Sequence, residues 1–148
     1  MGVSEKPASR DSFRRSGDLL IVENDERIVE LLRWFLERRG HRVRATGSFA
    51  AARELIAERA PDLLLSDIEL GSENARECLP RLAREGVLPP TLVVSGYVDR
   101  DVADELLAIP NVVGVLPKPF EFERLERWIE EHLQRVRAAV TVSAPTEL

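Results

Sequence analysis

Five short apolar runs, each about the length of one β-strand, alternate along this chain with segments of helical periodicity. The predicted strands are Asp18–Glu23 (DLLIVE), His41–Thr46 (HRVRAT), Asp62–Asp67 (DLLLSD), Thr91–Gly96 (TLVVSG) and Val112–Leu116 (VVGVL). The third run is apolar almost throughout, which is typical of a strand covered on both faces. Strands that alternate with helices build a parallel sheet with helices on both sides, so the pattern predicts an α/β domain.

The segments between the strands carry one apolar helical face each. In the first segment four residues follow the i, i+3, i+4, i+7 spacing: Ile28, Leu31, Leu32 and Phe35. Asp25 is the predicted N-cap of this helix, and Ser48 is that of the second. The third segment, roughly Ala75 to Arg84, contains Pro80, which weakens its helical character. The same apolar spacing marks a fourth segment before Pro110 and a fifth that extends to Val136.

The length of 148 residues suits one domain with a full core. Residues 1–17 are polar and aperiodic and are predicted to be a flexible arm, whereas residues 138–148 are predicted to be a tail or the start of a linker. Residues 18–137 are then the domain. No apolar run approaches the roughly 18 residues of a membrane span, and the N-terminus lacks the apolar region of a secretory signal. The sequence therefore indicates a cytoplasmic protein.

The residue types that bind metals and nucleic acids are sparse. A single cysteine, Cys78, excludes an internal disulfide and a Cys-rich zinc site, and it is predicted to be a small packing residue. The net charge of −5 argues against nucleic acid as the main partner. His41 and His132 are isolated from other metal-ligating residues and are predicted to be solvated. Trp34 and Trp128 lie on or beside apolar helix faces, so they are predicted to pack in the core or at its edge.

Polar side chains stand where the predicted strands end. They are Glu23, Asn24 and Asp25 after the first strand, Asp67 at the end of the third, Ser95 at the end of the fourth and Lys118 after the fifth. Binding sites in open parallel sheets lie beyond the carboxyl ends of the strands. The sequence therefore predicts that acids, an amide, a hydroxyl and an ammonium converge at one edge of one sheet.

Four pieces of the sequence, LLIVENDE, APDLLLSDIELG, TLVVSGY and LPKPF, carry a family resemblance. The residues of these pieces, their order and the distances between them in the sequence resemble those of the receiver domains of two-component response regulators. The chain looks like a single-domain receiver similar to the chemotaxis regulators. The resemblance covers residues 18–137. It implies a flavodoxin-like fold, an α/β architecture with a five-stranded parallel sheet in the order 2-1-3-4-5 and five helices on its two faces.

The resemblance also implies a function. Asp67 matches the aspartate that accepts a phosphoryl group from a sensor histidine kinase or a histidine phosphotransfer protein. Lys118 matches the lysine that pairs with that carboxylate, and Ser95 matches the hydroxyl residue that turns towards the phosphoryl group. Such a chain catalyses at most its own phosphorylation and dephosphorylation, so no conventional turnover enzyme is expected.

A Mg²⁺ cofactor is implied by the same resemblance. Glu23 and Asn24 match the family's acidic pair, and Asp67 with the backbone carbonyl of Glu69 completes the ligand set. The family usually has two acids where this chain has Glu23 and Asn24. An amide oxygen can coordinate Mg²⁺ but brings no negative charge, so weak binding is expected. Asp25 would compensate for the missing charge if it shifted inward.

Two further departures concern the link between the site and the surface. Val115 stands where the family usually has Tyr or Phe, three residues before the lysine. Without that aromatic ring the coupling must differ, and Tyr97 is a candidate substitute. In the loop after Asp67, Gly71 replaces a usual proline and Ala75 a usual glycine, which predicts a more mobile loop.

Two functions therefore stay open. In the first, the chain relays a phosphoryl signal to a downstream protein through its fourth helix, fifth strand and fifth helix, without direct contact to nucleic acid or membrane. In the second, it is a degenerate receiver that binds proteins independently of phosphorylation, which Asn24 and Val115 favour and Asp67, Ser95 and Lys118 disfavour. A flavin carrier is rejected because the acidic ENDERI segment after the first strand would repel a phosphate group.

Overall fold

The computed structural model describes residues 16–96 and 99–143. The main sheet of this part of the chain has five parallel strands: β1 (Asp18–Val22), β2 (Arg42–Thr46), β3 (Leu63–Asp67), β4 (Thr91–Ser95) and β5 (Val112–Pro117). Hydrogen bonding arranges them in the order β2-β1-β3-β4-β5. The predicted flavodoxin-like sheet and its strand order are therefore confirmed.

The register of the central strands brings their carboxyl ends to one level. Val22 of β1 lies opposite Ser66 of β3, and Asp67 lies opposite Val94 of β4. All these pairs are parallel, so the residues that follow β1, β3 and β5 emerge at the same edge of the sheet. This edge is where the polar residues of the sequence were expected to converge.

The loop after β3 contains a short antiparallel pair that the sequence did not indicate. Glu69–Leu70 pairs with Glu73–Asn74 across a two-residue turn. Gly71 in that turn has φ of +63°, a left-handed conformation that glycine adopts without the steric penalty of a Cβ atom. The pair gives the loop a defined path from β3 to the next helix, whereas its mobility stays a prediction.

Helices follow each of the five strands. They are α1 (Glu26–Arg38), α2 (Phe49–Glu58), α3 (Ala75–Arg84), α4 (Arg100–Leu107) and α5 (Phe122–Ser143). The Asp25 carboxylate accepts a hydrogen bond from the Arg27 N–H at 3.0 Å, and the Ser48 hydroxyl accepts one from the Ala51 N–H at 3.1 Å. Both predicted N-caps are therefore confirmed. α3 accommodates Pro80 in its interior.

The predicted domain boundaries at positions 18 and 137 stay predictions. α5 continues to Ser143, so the predicted end of the domain at position 137 lies within a helix. The predicted N-terminal arm lies outside the described residues except for positions 16 and 17, and so do the last five residues of the predicted tail. None of the helices described is long and apolar enough to cross a membrane.

Two hydrophobic layers cover the two faces of the sheet. On one face α1 and α5 contribute Leu36 and Leu125, and on the other α2, α3 and α4 contribute residues such as Leu79 and Leu106. All four side chains are fully buried. Each buried leucine contributes about 1.5–3 kcal/mol relative to an exposed one. This two-sided burial fixes the strands, and with them the positions of the strand ends.

The prediction that His41 and His132 are solvated is wrong, because both side chains are buried. The Nδ1 atom of His41 accepts a hydrogen bond from the Gly17 N–H at 3.1 Å, while Nε2 lies 3.1 Å from the Glu126 carboxylate. His132 stacks on Trp128 with 5.4 Å between ring centroids, and burial lowers the pKa of His132. Glu126 is 85 residues from His41, so local sequence patterns do not reveal this partner.

The outer surface of α1 departs from the simple helical pattern. Leu31 and Trp34 are 55% and 59% exposed, so the prediction that Trp34 packs in the core or at its edge is wrong. The Arg38 guanidinium lies 4.9 Å from the Trp34 ring centroid, a cation–π arrangement. Trp128 and Cys78 do pack against the two core layers as predicted, and burial raises the pKa of the Cys78 thiol.

Candidate functional site

Three charged side chains meet at the carboxyl edge of the sheet. Asp67 is the last residue of β3, Glu23 follows β1 and Lys118 follows β5. The Nζ atom of Lys118 lies 3.3 Å from Oδ2 of Asp67 and 3.4 Å from Oε1 of Glu23. The structure therefore brings together residues that are 51 and 95 positions apart in the chain. The common edge of a parallel sheet explains why they converge.

Hydrogen bonds at the strand ends hold Lys118 and Asp67 in place. The Lys118 N–H donates to the Ser95 carbonyl at 2.7 Å, which ties the start of the lysine loop to the end of β4. The Oδ1 atom of Asp67 accepts a hydrogen bond from the Ile68 N–H at 2.7 Å, and the buried Ser66 hydroxyl donates to the Asp67 carbonyl at 2.8 Å. Only Oδ2 of Asp67 is then directed at the ammonium of Lys118.

The electrostatics of the site are dominated by the burial of Glu23. This side chain is 7% exposed, and burial raises the pKa of its carboxyl group. The Asp25 N–H, 3.0 Å from Oε2 of Glu23, and the Lys118 ammonium lower that pKa, whereas the Asp67 carboxylate raises it further. Two carboxylates thus share one ammonium, so the site carries an excess of negative charge and attracts a cation.

A small cavity of about 20 Å³ lies beside these groups. Its apolar lining includes Ile28, Leu32, Phe120 and Leu125. The volume is close to the minimum that holds one water-sized group. Apolar walls lower the local dielectric, so the attraction between Lys118 and the two carboxylates is stronger here than at an open surface.

The remaining residues of the predicted site are placed around this centre in different ways. Ser95 is buried at the end of β4, whereas the side chains of Asn24 and Glu69 are exposed. Asp25 is committed to capping α1, and its hydrogen bonds to Arg27 lower the pKa of the Asp25 carboxyl group. The predicted N-cap role of Asp25 is therefore the one observed, and its inward shift is not.

The oxygen donors at this edge are of the types that suit a hard divalent cation. In the described part of the chain, no three side chains of the His, Cys, Asp and Glu types form a metal-binding group. Carboxylate oxygens of Glu23 and Asp67, the amide oxygen of Asn24 and the backbone carbonyl of Glu69 are nevertheless the oxygen ligands that Mg²⁺ prefers. The residues fit Mg²⁺ by chemical type, with two charged ligands and two neutral ones.

Val115 lies on β5 opposite Val93 of β4. It is half-buried and packs against the hydrophobic layer formed with α2, α3 and α4. A valine there fills less space than an aromatic ring and has no ring to reorient. Tyr97, the candidate substitute for the missing ring, lies outside the described residues.

Two site residues escaped the sequence analysis. Ser66 looked like part of an apolar strand, but its hydroxyl fixes the carbonyl of the neighbouring Asp67. Phe120 was visible in the LPKPF segment, where it follows Pro119, and it lines the cavity next to the charged groups. Ser66 could have been found from the sequence, because it is the polar residue that interrupts an otherwise apolar strand just before the acid at the strand end.

Comparison with known proteins defines the class of this molecule. A sequence model of the response regulator receiver domain matches residues 19–130. The match covers β1 from its second residue, the whole of β2 to β5 and of α1 to α4, and the first part of α5. The chain therefore belongs to the family of response regulator receiver domains.

Relatives of known type are similar over most of this chain. The transcriptional regulatory protein MalR of Bacillus subtilis is 29% identical over 126 residues, which are 84% of this chain and 53% of that protein. Protein PetR of Rhodobacter capsulatus is 35% identical over 83% of this chain and 51% of its own length. The DNA-binding transcriptional regulator NtrC of a Bradyrhizobium strain is 30% identical, and the chain spans 23% of it. The chain thus covers about half or less of these relatives.

Solved structures agree with the fold. The signal receiver domain of a putative Luxo repressor protein from Vibrio parahaemolyticus superposes with a TM-score of 0.79 at 18% identity, covering 86% of this chain and 98% of that one. NtrX from Brucella abortus gives a TM-score of 0.77 at 25% identity, covering 86% of this chain and 30% of that one. The likeness to the first structure concerns the fold alone.

Proposed function

We propose that this chain accepts a phosphoryl group on Asp67 from a phosphohistidine of a sensor histidine kinase or a histidine phosphotransfer protein, in the cytoplasm. The observation that carries the proposal is the position of the Lys118 ammonium, 3.3 Å from Oδ2 of Asp67 at the end of β3. A fixed cation beside the carboxylate stabilises the negative charge that develops on an incoming phosphoryl group. Residues 18–137 are the proposed receiver unit.

The transfer needs positioning and charge neutralisation more than covalent chemistry from other side chains. One oxygen of Asp67 forms a bond to phosphorus while the bond between phosphorus and the imidazole nitrogen breaks. That nitrogen keeps the electron pair and takes up a proton, so the products are an aspartyl phosphate and a free imidazole. Lys118 contacts the phosphoryl oxygens, and the Ser95 hydroxyl turns towards them once they are in place.

Glu23, Asn24, Asp67 and the carbonyl of Glu69 are the residues that would hold Mg²⁺, which supplies further positive charge to neutralise the phosphoryl oxygens. Within the site, Glu23 is a buried acid whose charged form a neighbouring cation stabilises. Its burial raises the pKa of its carboxyl group, and Lys118 partly offsets this effect. The uncharged Asn24 leaves the ligand set one carboxylate short, so the proposed binding is weak.

Phosphorylation is tested by intact-mass spectrometry after the protein is incubated with acetyl phosphate and Mg²⁺. We expect one phosphoryl adduct on the unmodified chain and none on Asp67→Asn. Glu69→Gln, which keeps its backbone carbonyl, is the matched control and should still be modified. An adduct that persists in Asp67→Asn would contradict the assignment, and the absence of any adduct would favour a phosphorylation-independent binding module.

Asn24→Asp is expected to tighten Mg²⁺ binding about tenfold. One added carboxylate near a divalent cation contributes roughly 1–2 kcal/mol at an effective dielectric constant of about 20. Isothermal titration calorimetry would compare the Mg²⁺ dissociation constants of the two proteins. Gln134→Glu adds the same charge on the exposed side of α5 and should leave that constant unchanged. Equal or weaker binding by Asn24→Asp would contradict the proposed role of position 24.

The phosphorylated form signals to a downstream protein through the surface made by α4, β5 and α5. Leu107 at the end of α4 and Val113 on β5 are 47% and 40% exposed. These two side chains lie on two of the three elements of the proposed surface. The proposed output is therefore a protein interaction, without direct contact between these receiver residues and nucleic acid.

A further inference from the structure

A bidentate ion pair joins α3 to α4. The Nε atom of Arg76 donates to Oε2 of Glu105 at 2.9 Å, and Nη2 of Arg76 donates to Oε1 at 2.8 Å. These hydrogen bonds raise the pKa of Arg76 and lower that of Glu105. Isolated surface ion pairs contribute little, but a two-bond fork fixes the relative orientation of its two side chains. The pair therefore restrains the position of α4 relative to the start of α3.

α4 packs on β5 and on the adjoining hydrophobic layer through a short apolar face. It is an eight-residue helix, and Leu106 is the one fully buried residue within it. An element with few buried apolar contacts opens or shifts at a low free-energy cost. A restraint at Glu105, the residue next to Leu106, therefore adds to this packing in fixing where α4 lies.

Arg76 is connected to Asp67 through two short backbone contacts. The Ile68 N–H donates to Oδ1 of Asp67 at 2.7 Å. The Ala75 N–H then donates to the Ile68 carbonyl at 2.7 Å, and Arg76 is the next residue in the chain. Asn74 caps this end of α3, because its Oδ1 atom accepts a hydrogen bond from the Arg76 N–H at 2.8 Å. The acid at the end of β3 and the arginine of the fork thus belong to one continuous network.

We propose that the Arg76–Glu105 pair couples the charge state of Asp67 to the position of α4, by a route that does not pass through Ser95 or position 115. The coupling builds on the proposed function, because phosphorylation of Asp67 is the event that would change the charge at this position. It does not depend on that function, because any change that removes the negative charge from the Asp67 oxygen bonded to the Ile68 N–H acts on the same network.

The physical step lies at Ile68. A carboxylate oxygen accepts a charge-assisted hydrogen bond from the Ile68 N–H, and this bond is roughly twice as strong as a bond to a neutral oxygen. When Asp67 becomes an acyl phosphate, or an amide in Asp67→Asn, its oxygen at this position loses the negative charge. The Asp67–Ile68 peptide is then held less firmly, and the neighbouring Ile68 carbonyl, which accepts the hydrogen bond from the Ala75 N–H, can shift with it. The rigid fork passes the change on to α4.

A double-mutant cycle tests the coupling without any phosphodonor. Amide hydrogen exchange of Arg100–Leu107 gives the opening equilibrium of α4 in the unmodified chain, Asp67→Asn, Glu105→Gln and the double variant. We expect Asp67→Asn to change this equilibrium by about twofold or more when Glu105 is present, a factor typical of residues that share one network. In the Glu105→Gln background the same change should disappear. Additive effects of the two substitutions would overturn the proposal.

Two further variants test whether the coupling is specific to the Arg76–Glu105 pair. The ion pair between Arg53 and Glu85 joins α2 to the residue after α3, so Glu85→Gln should leave the response of α4 to Asp67→Asn intact. The exchanged pair Arg76→Glu with Glu105→Arg should restore at least part of the response. A loss of the response in Glu85→Gln, or no recovery in the exchanged pair, would also count against the proposal.

Adding acetyl phosphate to the same proteins separates this proposal from the proposed function. If no adduct forms but the cycle is non-additive, phosphoryl transfer fails and the coupling holds. If Asp67 is phosphorylated but the cycle is additive, the function holds and the Arg76–Glu105 route is wrong.

Discussion

Replacing Lys118 with alanine is expected to slow phosphorylation of Asp67 by acetyl phosphate about 10²–10³-fold, the usual effect of removing one fixed group that stabilises developing negative charge. Lys118 is the cation seen beside both acids of the site, at 3.3 Å from Asp67 and 3.4 Å from Glu23. Its loss leaves two carboxylates facing an anionic phosphoryl group. The rate of adduct formation, followed by intact-mass spectrometry at fixed Mg²⁺ concentration, measures the effect.

The control for this substitution removes a cation that does not contact the acids. Arg100 is an exposed residue in the first turn of α4, so Arg100→Ala should change the rate by less than about twofold. Circular dichroism would verify that both variants keep their helices. If Lys118→Ala reacted as fast as Arg100→Ala, the site would not use Lys118. The position of the Lys118 ammonium beside Asp67 would then no longer support the proposed function.

The same substitution has an expected consequence for Glu23. Burial raises the pKa of this carboxyl group, while the Lys118 ammonium lowers it. Without Lys118, the balance moves towards the protonated form. A folded-state pKa above the unfolded value means that stability is present at low pH and is lost as pH rises through the folded-state pKa. The ionised site is thus maintained at some cost in stability, as is common for functional sites.

The sheet and the convergence of its strand ends could be predicted because both depend on local patterns. An apolar run that stops at an acid, as at Asp67, identifies a strand end, and parallel strands place such ends at one edge. The structure brings Lys118 to both Asp67 and Glu23, and the loop between strand and helix commits Asp25 to the N-cap. The roles of these residues in phosphoryl transfer stay predictions that the experiments above decide.

Contacts between distant elements could not be predicted in the same way. Helical spacing gives the face that a residue occupies, but not the rotation and tilt of the helix against its neighbours. Leu31 fits the apolar spacing and is nevertheless more than half exposed. The contacts of His41 with Glu126 and of Arg76 with Glu105 join residues 85 and 29 positions apart. Each depends on how two elements pack, and no single segment carries that information.

Replacing Gly114 with valine is expected to lower the free energy of unfolding by roughly 1–3 kcal/mol, the usual cost of overpacking a well-packed core. Gly114 lies on β5, where a Cβ atom would come 2.7 Å from Cζ2 of Trp128 and 3.1 Å from Cδ1 of Leu92. The indole of Trp128 is stiff and is stacked on His132, so it cannot retreat without disturbing α5. Urea unfolding followed by circular dichroism measures the loss.

The size of the residue at position 128 should control how strongly Gly114→Val destabilises the protein. In a Trp128→Leu background the obstructing ring is absent, so Gly114→Val should cost less than it does beside the tryptophan, and the two substitutions should be non-additive. Gly96→Ala is the matched control, because a Cβ atom at Gly96 meets no atom of the described residues within 4 Å. This substitution should change the free energy of unfolding by less than about 0.5 kcal/mol. If Gly114→Val were as stable as Gly96→Ala, β5 and α5 would not be in the close contact described. The packing that positions Lys118 at the end of β5 would then have to be different.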